Sequence, residues 1–154
     1  MKLAIMQPYF FPYIGYFQLI YAVDKFIFYD DVNYIKQGWI NRNQILMNSK
    51  ASMFSVPLMN ASSNNLIKDV LISEQNYIRW RDKFYKSLMS SYSKAPNYEE
   101  VLVLIKSIID QPNTLSISDL AMKSVKKILE HLKIKKNISS SQRFNNRNLK
   151  ASER

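Results

Sequence analysis

Residues 4–20 read AIMQPYFFPYIGYFQLI, and residues 24–31 follow as DKFIFYDD. The apolar run that ends at Met6 predicts a short buried strand. The two prolines of QPYFFP lack an amide proton and favour extended geometry in the preceding residues, so an irregular loop is expected there. Apolar residues then recur at helical spacing from Ile14 to Tyr21, and DKFIFYDD predicts a second strand. This order predicts a β-α-β unit with two parallel strands.

The β-α-β unit predicts an α/β fold, in which a parallel sheet is followed by a helical carboxyl-terminal half. The later segments add helices and short strands, which are recognised by apolar residues three or four positions apart or in short runs. We predict strands in ASMFSVPLM (51–59) and DVLISE (69–74), a helix over 75–93, a second helix after Asn97, and a third that starts at Ser116 or Ser118.

Composition limits the classes of protein to consider. The chain has 154 residues, of which 47% are apolar, so it can bury one substantial core. It contains no cysteine and one histidine, His131, which excludes disulfides, thiolate zinc sites and multi-histidine metal sites. The lack of cysteine fits a reducing compartment, and we expect a cytoplasmic protein.

The net charge of +10 is unevenly distributed. Residues 121–154 carry 10 basic and 2 acidic side chains, whereas the first 120 residues are nearly neutral. A solvated basic face would explain this excess, and so would a site for phosphate or for an acidic partner. We predict a single α/β domain over residues 1–138 and a polar basic tail over residues 139–154.

The aromatic start of the chain could also be an export signal or a membrane span. An export signal needs a smooth apolar run and a small-residue cleavage site, but Gln7, Pro8, Pro12 and Gln18 interrupt this run. A membrane-spanning helix must satisfy its own backbone hydrogen bonds, which two prolines near its start oppose. We therefore predict neither an export signal nor a membrane span.

Two acidic residues, Asp30 and Asp31, stand at the end of the second predicted strand. In open parallel sheets, ligands bind beyond the carboxyl ends of the strands. The pair could hold a Mg²⁺ ion that bridges substrate phosphates, or one carboxylate could act as a general base. Alternatively, the pair ends the strand and caps a turn. The two carboxylates suggest Mg²⁺ as a possible cofactor. The sequence contains no specific motif for any other cofactor.

Candidate substrate-binding residues lie in the loops after the two strands. The segment NYIKQGWINRN (33–43) mixes positive charge and amides with flat aromatic faces on which a sugar or base could lie. Aromatic residues are more often part of a core, and Gln7 could simply bind backbone, so structural roles remain open. The candidates are Gln7, Tyr9, Tyr16, Tyr34, Lys36, Trp39, Arg42 and Asn43.

Three motifs together resemble the amino-terminal half of the WbqC-like protein family, whose members are associated with bacterial lipopolysaccharide O-antigen gene clusters. They are MQPYFFPYIGYFQLI (6–20), VDKFIFYDDVNY (23–34) and GWINRNQI (38–45). The likeness continues more loosely over residues 77–101 and 115–142. Members of the family run well past this length, so we expect a truncated amino-terminal portion with an incomplete three-layer, Rossmann-like architecture.

The resemblance implies a role in building or decorating surface polysaccharide. We expect a transferase that acts on a nucleotide-activated or amino sugar and therefore binds an anionic small molecule. In a longer relative, Ser139 and Ser140 would lie near the loop after a further strand, where their hydroxyls could donate to a phosphate. The alternative is a non-catalytic interaction module whose basic tail binds an acidic partner. Nucleic acid is not the expected ligand, and the oligomeric state is open.

Overall fold

The computed structural model describes residues 1–110 and 116–143. Short strands alternate with helices in the first third of the chain, and helices dominate the second half. The elements in chain order are β1 (Leu3–Met6), α1 (Ile14–Ala22), β2 (Lys25–Phe28), β3 (Arg42–Met47), β4 (Lys50–Ser55), β5 (Leu58–Met59), β6 (Leu71–Ile72), α2 (Glu74–Tyr92), α3 (Tyr98–Ile109), α4 (Ile117–His131) and β7 (Asn137–Ser140).

A parallel sheet with the strand order β1-β2-β7 forms the centre of the fold. Ala4 pairs with Phe26 and Phe26 with Ile138, so all three strands run in the same direction. The predicted β-α-β unit is therefore confirmed, with α1 as its crossover. The predicted α/β class and the helical carboxyl-terminal half are also confirmed.

Helices α1 and α4 cover the same face of this sheet. Phe26 and Phe28 point to that face and share one buried cluster with Ile20 of α1 and with Val125 and Leu129 of α4. Side chains alternate between the two faces of a strand, so the odd-numbered residues of β1 face the other way. These residues, Leu3 and Ile5, are largely exposed. Among the described elements, the helical layer thus lies on one face of the sheet.

A second core forms around the antiparallel hairpin of β3 and β4. Aromatic residues of α2, including Trp80 and Phe84, pack there against Phe10 and Phe54. The first turns of α4 belong to this core, whereas its later turns belong to the core on the sheet. Helix α4 therefore joins the two cores.

Helix boundaries agree closely with the sequence pattern. Asn97 precedes α3 as its N-cap residue, and Ser116 caps α4 by accepting a hydrogen bond from the Asp119 amide at 3.1 Å. No helix within residues 1–110 and 116–143 is long and apolar enough to cross a membrane.

Two predicted boundaries differ from the structure: the end of the loop over residues 33–43 and the start of the tail at residue 139. The segment over residues 33–43 was predicted as a loop, but Arg42 and Asn43 begin β3 and pair with Ser55 and Phe54. At the other end, the sheet extends past the predicted domain boundary at residue 138, because Ser139 and Ser140 pair with β2. Residues 144–154, which make up most of the predicted tail, lie outside the described residues.

Candidate functional site

The carboxyl ends of β1, β2 and β7 meet at one edge of the sheet, called the carboxyl edge below. The loop over residues 7–13 follows β1 there, Asp30 and Asp31 follow β2, and Ser141 and Gln142 follow β7. Because the strands are parallel, segments separated by more than 100 residues come together at this edge. Two neighbourhoods form along it, a buried acidic cluster and an aromatic pocket.

The acidic cluster is centred on Asp30, which is 0% exposed. Ser118 Oγ donates to Asp30 Oδ2 at 2.9 Å, and Ser140 Oγ donates to Oδ1 at 3.0 Å. Ser141 Oγ lies 3.1 Å from Oδ1, and Gln142 Nε2 donates to Oδ2. A buried carboxylate is costly unless it is hydrogen-bonded, and these four side chains supply that compensation.

Ser141 links the two carboxylates. Its hydroxyl lies 2.6 Å from Asp31 Oδ1 and accepts a hydrogen bond from the Asp30 amide at 3.2 Å. A serine hydroxyl carries one proton, so Ser141 can donate to only one of the two carboxylates at a time. Two residues earlier, in β7, the buried hydroxyl of Ser139 has no hydrogen-bond partner among the described residues. The phosphate role predicted for Ser139 and Ser140 stays a prediction, and Ser140 is occupied by Asp30.

Catalytic and Mg²⁺-binding roles for Asp30 and Asp31 also stay predictions. Residues 1–110 and 116–143 contain no group of three or more His, Cys, Asp or Glu side chains that could hold a metal ion. Donors occupy both oxygens of Asp30, so an ion there would have to displace hydroxyl groups. The contacts of Asp30 describe a structural hub that ties β2, β7 and α4 together.

The aromatic pocket lies where the loop after β1 meets the loop before β3. It encloses about 280 Å³, and its lining residues are Tyr9, Pro12, Tyr13, Trp39 and Asn43. Three of these residues were predicted to bind substrate. The structure brings them together although Tyr9 lies in the loop after β1, Trp39 in the loop before β3 and Asn43 in β3 itself. Tyr13 and Trp39 are both well exposed, so the pocket opens to solvent.

One backbone hydrogen bond and the side chain of Asn43 hold the two loops of the pocket in contact. The Phe10 amide donates to the Ile40 carbonyl at 3.2 Å. Asn43 Nδ2 donates to the carbonyls of Phe10 and Phe11, while its Oδ1 accepts from the Gln44 amide at 2.8 Å. Asn43 is thus a wall of the pocket and also the clamp between its two loops.

Phe11 has a left-handed backbone conformation, with φ of 48°. A bulky residue rarely adopts this conformation, because its side chain crowds the backbone. The surrounding structure holds it in place, since the Phe11 amide donates to Ser124 Oγ of α4 at 3.2 Å. This bond and the Asn43 clamp fix the turn that carries Pro12 and Tyr13 into the pocket.

Other predicted binding residues have structural contacts instead. The Arg42 guanidinium donates to the carbonyls of Gly38 and Gln37, so it stabilises its own loop. The Tyr34 hydroxyl donates to Asn41 Oδ1 at 2.9 Å, and burial raises the pKa of Tyr34 against the opposing effect of Arg42. Their predicted roles in substrate binding stay untested.

Tyr16 belongs to the core beneath the loop. Its side chain is buried, and its hydroxyl donates to the Gln7 carbonyl at 2.9 Å. Burial raises the pKa of Tyr16 far above the ordinary tyrosine value, and Tyr9 adds to this rise. Lys36 is exposed on the same loop as Trp39, and Gln7 is half-buried at the end of β1. Substrate contacts of these residues stay predictions.

Sequence reasoning did not select several residues that the structure places at the carboxyl edge. Pro12 and Tyr13 line the pocket. Their position in the sequence between Tyr9 and Tyr16, two predicted binding residues, could have indicated this. Ser118, Ser141 and Gln142 surround Asp30 from positions 88 to 112 residues away. Nothing in the local sequence around these residues indicates this contact.

Comparisons with known proteins found one matching protein family and a related bacterial protein. The sequence model of the WbqC-like protein family matches residues 7–154. A Mycobacterium tuberculosis protein, described as uncharacterized protein Rv1507c, is 30% identical over 141 residues, which are 91% of this chain and 60% of that protein. The chain therefore spans about 60% of the length of this curated relative. No solved structure matches the chain.

Proposed function

The chain belongs to the WbqC-like protein family, and from this premise we propose that it binds the sugar of an activated donor in the aromatic pocket and takes part in its transfer. The proposed context is the biosynthesis of bacterial surface polysaccharide such as O-antigen. The observation that carries the proposal is the joint pocket of Tyr9, Tyr13 and Trp39 between two loops.

The composition of the pocket suits a sugar. Aromatic rings offer apolar faces to the C–H faces of a pyranose, and tyrosine hydroxyls and the indole N–H offer hydrogen bonds at their edges. None of the five residues that line the pocket is charged. The volume of about 280 Å³ lies at the lower limit for ligand pockets, which favours one monosaccharide over a larger unit.

The phosphates of an activated sugar would lie at the start of α1. Tyr13 is both a pocket residue and the N-cap residue of α1, and its side chain makes no capping hydrogen bond. Backbone amides at a helix start are favourable neighbours for an anion. Lys36, exposed on the facing loop, is the proposed cationic partner.

In this proposal, Asp30 acts indirectly. Its carboxylate is enclosed by serine and glutamine donors, so we assign it the positioning of the carboxyl edge, not a proton transfer. Asp31 remains the proposed general base for the acceptor hydroxyl, since a transferase that activates a hydroxyl needs such a group.

Fluorescence titration of Trp39 tests the proposal. Nucleotide-activated hexoses, the matching free nucleotides and the free hexoses would be added separately, with and without Mg²⁺. Trp80, the other tryptophan, lies in the core around the hairpin, and a Trp39→Phe variant gives its background signal. We expect activated hexoses to quench the fluorescence of Trp39. This quenching should disappear in Tyr9→Ala and persist in Tyr21→Ala, whose substitution lies outside the pocket. Equal quenching in Tyr9→Ala and Tyr21→Ala would show that the aromatic pocket is not the sugar-binding site.

A further inference from the structure

We propose that the opposite edge of the parallel sheet docks the protein onto an anionic lipid bilayer. This edge, called the amino edge, is where β1, β2 and β7 begin and where α1 and α4 end. The inference does not depend on the proposed sugar site. The docking surface consists of five lysines and three apolar residues, namely Lys2, Lys25, Lys133, Lys135, Lys136, Leu3, Tyr21 and Leu132.

Hydrogen bonds connect the parts of this surface. The Lys2 carbonyl accepts bonds from the amides of Asp24 and Lys25, at 2.9 Å and 3.2 Å. Lys136 Nζ donates to the Val23 carbonyl at 3.0 Å and lies 5.2 Å from the centre of the Tyr21 ring. The starts of β1 and β2, the end of α1 and the segment before β7 are therefore neighbours.

The charge of the amino edge is strongly positive. Asp24 lies among these lysines and offsets one of their five charges, whereas Glu130, near the end of α4, is paired with a lysine outside the surface. Asp24 accepts a hydrogen bond from the Lys2 amide at 2.6 Å, and Glu130 forms an ion pair with Lys127 at 2.8 Å. A surface with five lysines attracts anionic lipid headgroups, and each lysine adds to the affinity.

Exposed apolar side chains lie among these lysines. Tyr21 is 66% exposed, Leu132 is 50% exposed and Leu3 is 47% exposed. Apolar residues next to lysines suit the boundary between headgroups and acyl chains, where the apolar groups insert and the ammonium groups remain in the headgroup layer. A purely electrostatic partner would leave these three side chains in water.

The residue types favour a bilayer over a nucleic acid. Phosphate recognition in nucleic acids commonly uses the bidentate fork of arginine, and every cation of this surface is a lysine. Leu3 and Leu132 offer no hydrogen bonds to base edges. Docking by the amino edge would also leave the carboxyl edge, with its aromatic pocket, facing the aqueous phase.

Vesicle co-sedimentation of the full chain tests the proposal. The vesicles are phosphatidylcholine alone or an equimolar mixture with phosphatidylglycerol, at low and raised ionic strength. We expect binding to the anionic vesicles only, weakened by salt. The variant Lys2→Glu/Lys133→Glu/Lys135→Glu should lower the affinity at least about a hundredfold. The matched control, Lys83→Glu/Lys86→Glu/Lys94→Glu, makes the same change in net charge on α2 and the turn after it, and should bind nearly as wild type.

A second variant separates insertion from charge. Tyr21→Ser/Leu132→Ser keeps every charge and changes only exposed side chains, and it should also reduce vesicle binding severalfold. Circular dichroism checks that each variant is folded. The salt series tests the electrostatic part of the binding on the wild-type chain alone, so it does not depend on the folding of any variant. Equal losses in the amino-edge and control lysine variants would overturn the proposal, as would tighter binding of duplex DNA or polyglutamate than of anionic vesicles.

Discussion

The two neighbourhoods at the carboxyl edge differ in how their polar groups are used. Around Asp30, the hydroxyls of three serines and the amide of a glutamine lie within hydrogen-bonding distance of a carboxylate that has no contact with solvent. In the aromatic pocket, the rings of Tyr13 and Trp39 stay accessible. A dense group of polar residues is therefore not in itself a binding site. A binding site is distinguished by polar groups and ring faces that remain available to a ligand because other protein groups do not occupy them.

The largest effect is expected from removal of the carboxylate at Asp30. Asp30→Ala would leave buried serine donors without an acceptor, and the free energy of unfolding should fall by about 3 kcal/mol. Urea unfolding followed by circular dichroism measures this change. Asp82→Ala, on the exposed surface of α2, is the control and should change little. A change below about 0.5 kcal/mol in Asp30→Ala would contradict the structural role.

The opposite result is expected in the pocket. Trp39→Ala should lower the affinity for a bound sugar at least about fivefold, because an aromatic face contributes about 1 kcal/mol beyond its buried area. The free energy of unfolding should barely change, since Trp39 is 44% exposed. Isothermal titration calorimetry and urea unfolding on the same preparation give both numbers. A large loss of stability without loss of affinity would reverse the assignment.

Ser124→Ala tests whether the shape of the pocket depends on its support from α4. Removing the hydroxyl frees the Phe11 amide, and the free energy of unfolding should fall by about 1 kcal/mol. The left-handed turn should then relax, so that affinity for the sugar falls although Ser124 is buried outside the pocket. Ser87→Ala, which removes an exposed hydroxyl bonded within α2, is the control. Unchanged affinity in Ser124→Ala would show that the turn keeps its shape without this bond.

The smallest effect at neutral pH is expected from Tyr16→Phe. It leaves the Gln7 carbonyl without its donor and should cost about 0.5 kcal/mol. The wild-type chain should lose further stability above pH about 10, because the unfolded tyrosine ionises there while burial raises the pKa of Tyr16 in the folded chain. Urea unfolding across alkaline pH should show a shallower loss in Tyr16→Phe. An identical alkaline slope would exclude Tyr16 as a source of that loss.

The elements of the fold followed closely from local sequence. The run before Gln7, the two prolines and the run before Asp30 were enough for the β-α-β unit, because strand and loop preferences act over a few residues. Strand β7 was not predicted, since NISS has little apolar pattern and its place depends on pairing with β2. Strand β3 (Arg42–Met47) was not predicted either, and its first two residues fell in the segment that was read as a loop.

The site was less predictable than the fold. Tyr9, Trp39 and Asn43 were selected by residue type and proved to be neighbours. The loops of Tyr9 and Trp39 follow β1 and β2, which the sequence had already placed, whereas Asn43 lies in β3, which it had not. Tyr16 and Tyr34 have the same chemistry but point inward, and the sequence of a loop does not determine which aromatic ring faces the core. The donors around Asp30 come from distant segments, so only the three-dimensional fold identifies them.

The pairing of Phe26 with Ile138 joins residues 112 positions apart. Bringing such distant strands together requires closing a long loop, and this entropic cost slows folding. Because α4 contributes to both cores, neither core is complete until that part of the chain has been synthesised. During translation, the first β-α-β unit therefore emerges from the ribosome with its apolar residues uncovered, a state in which chaperone binding would prevent aggregation.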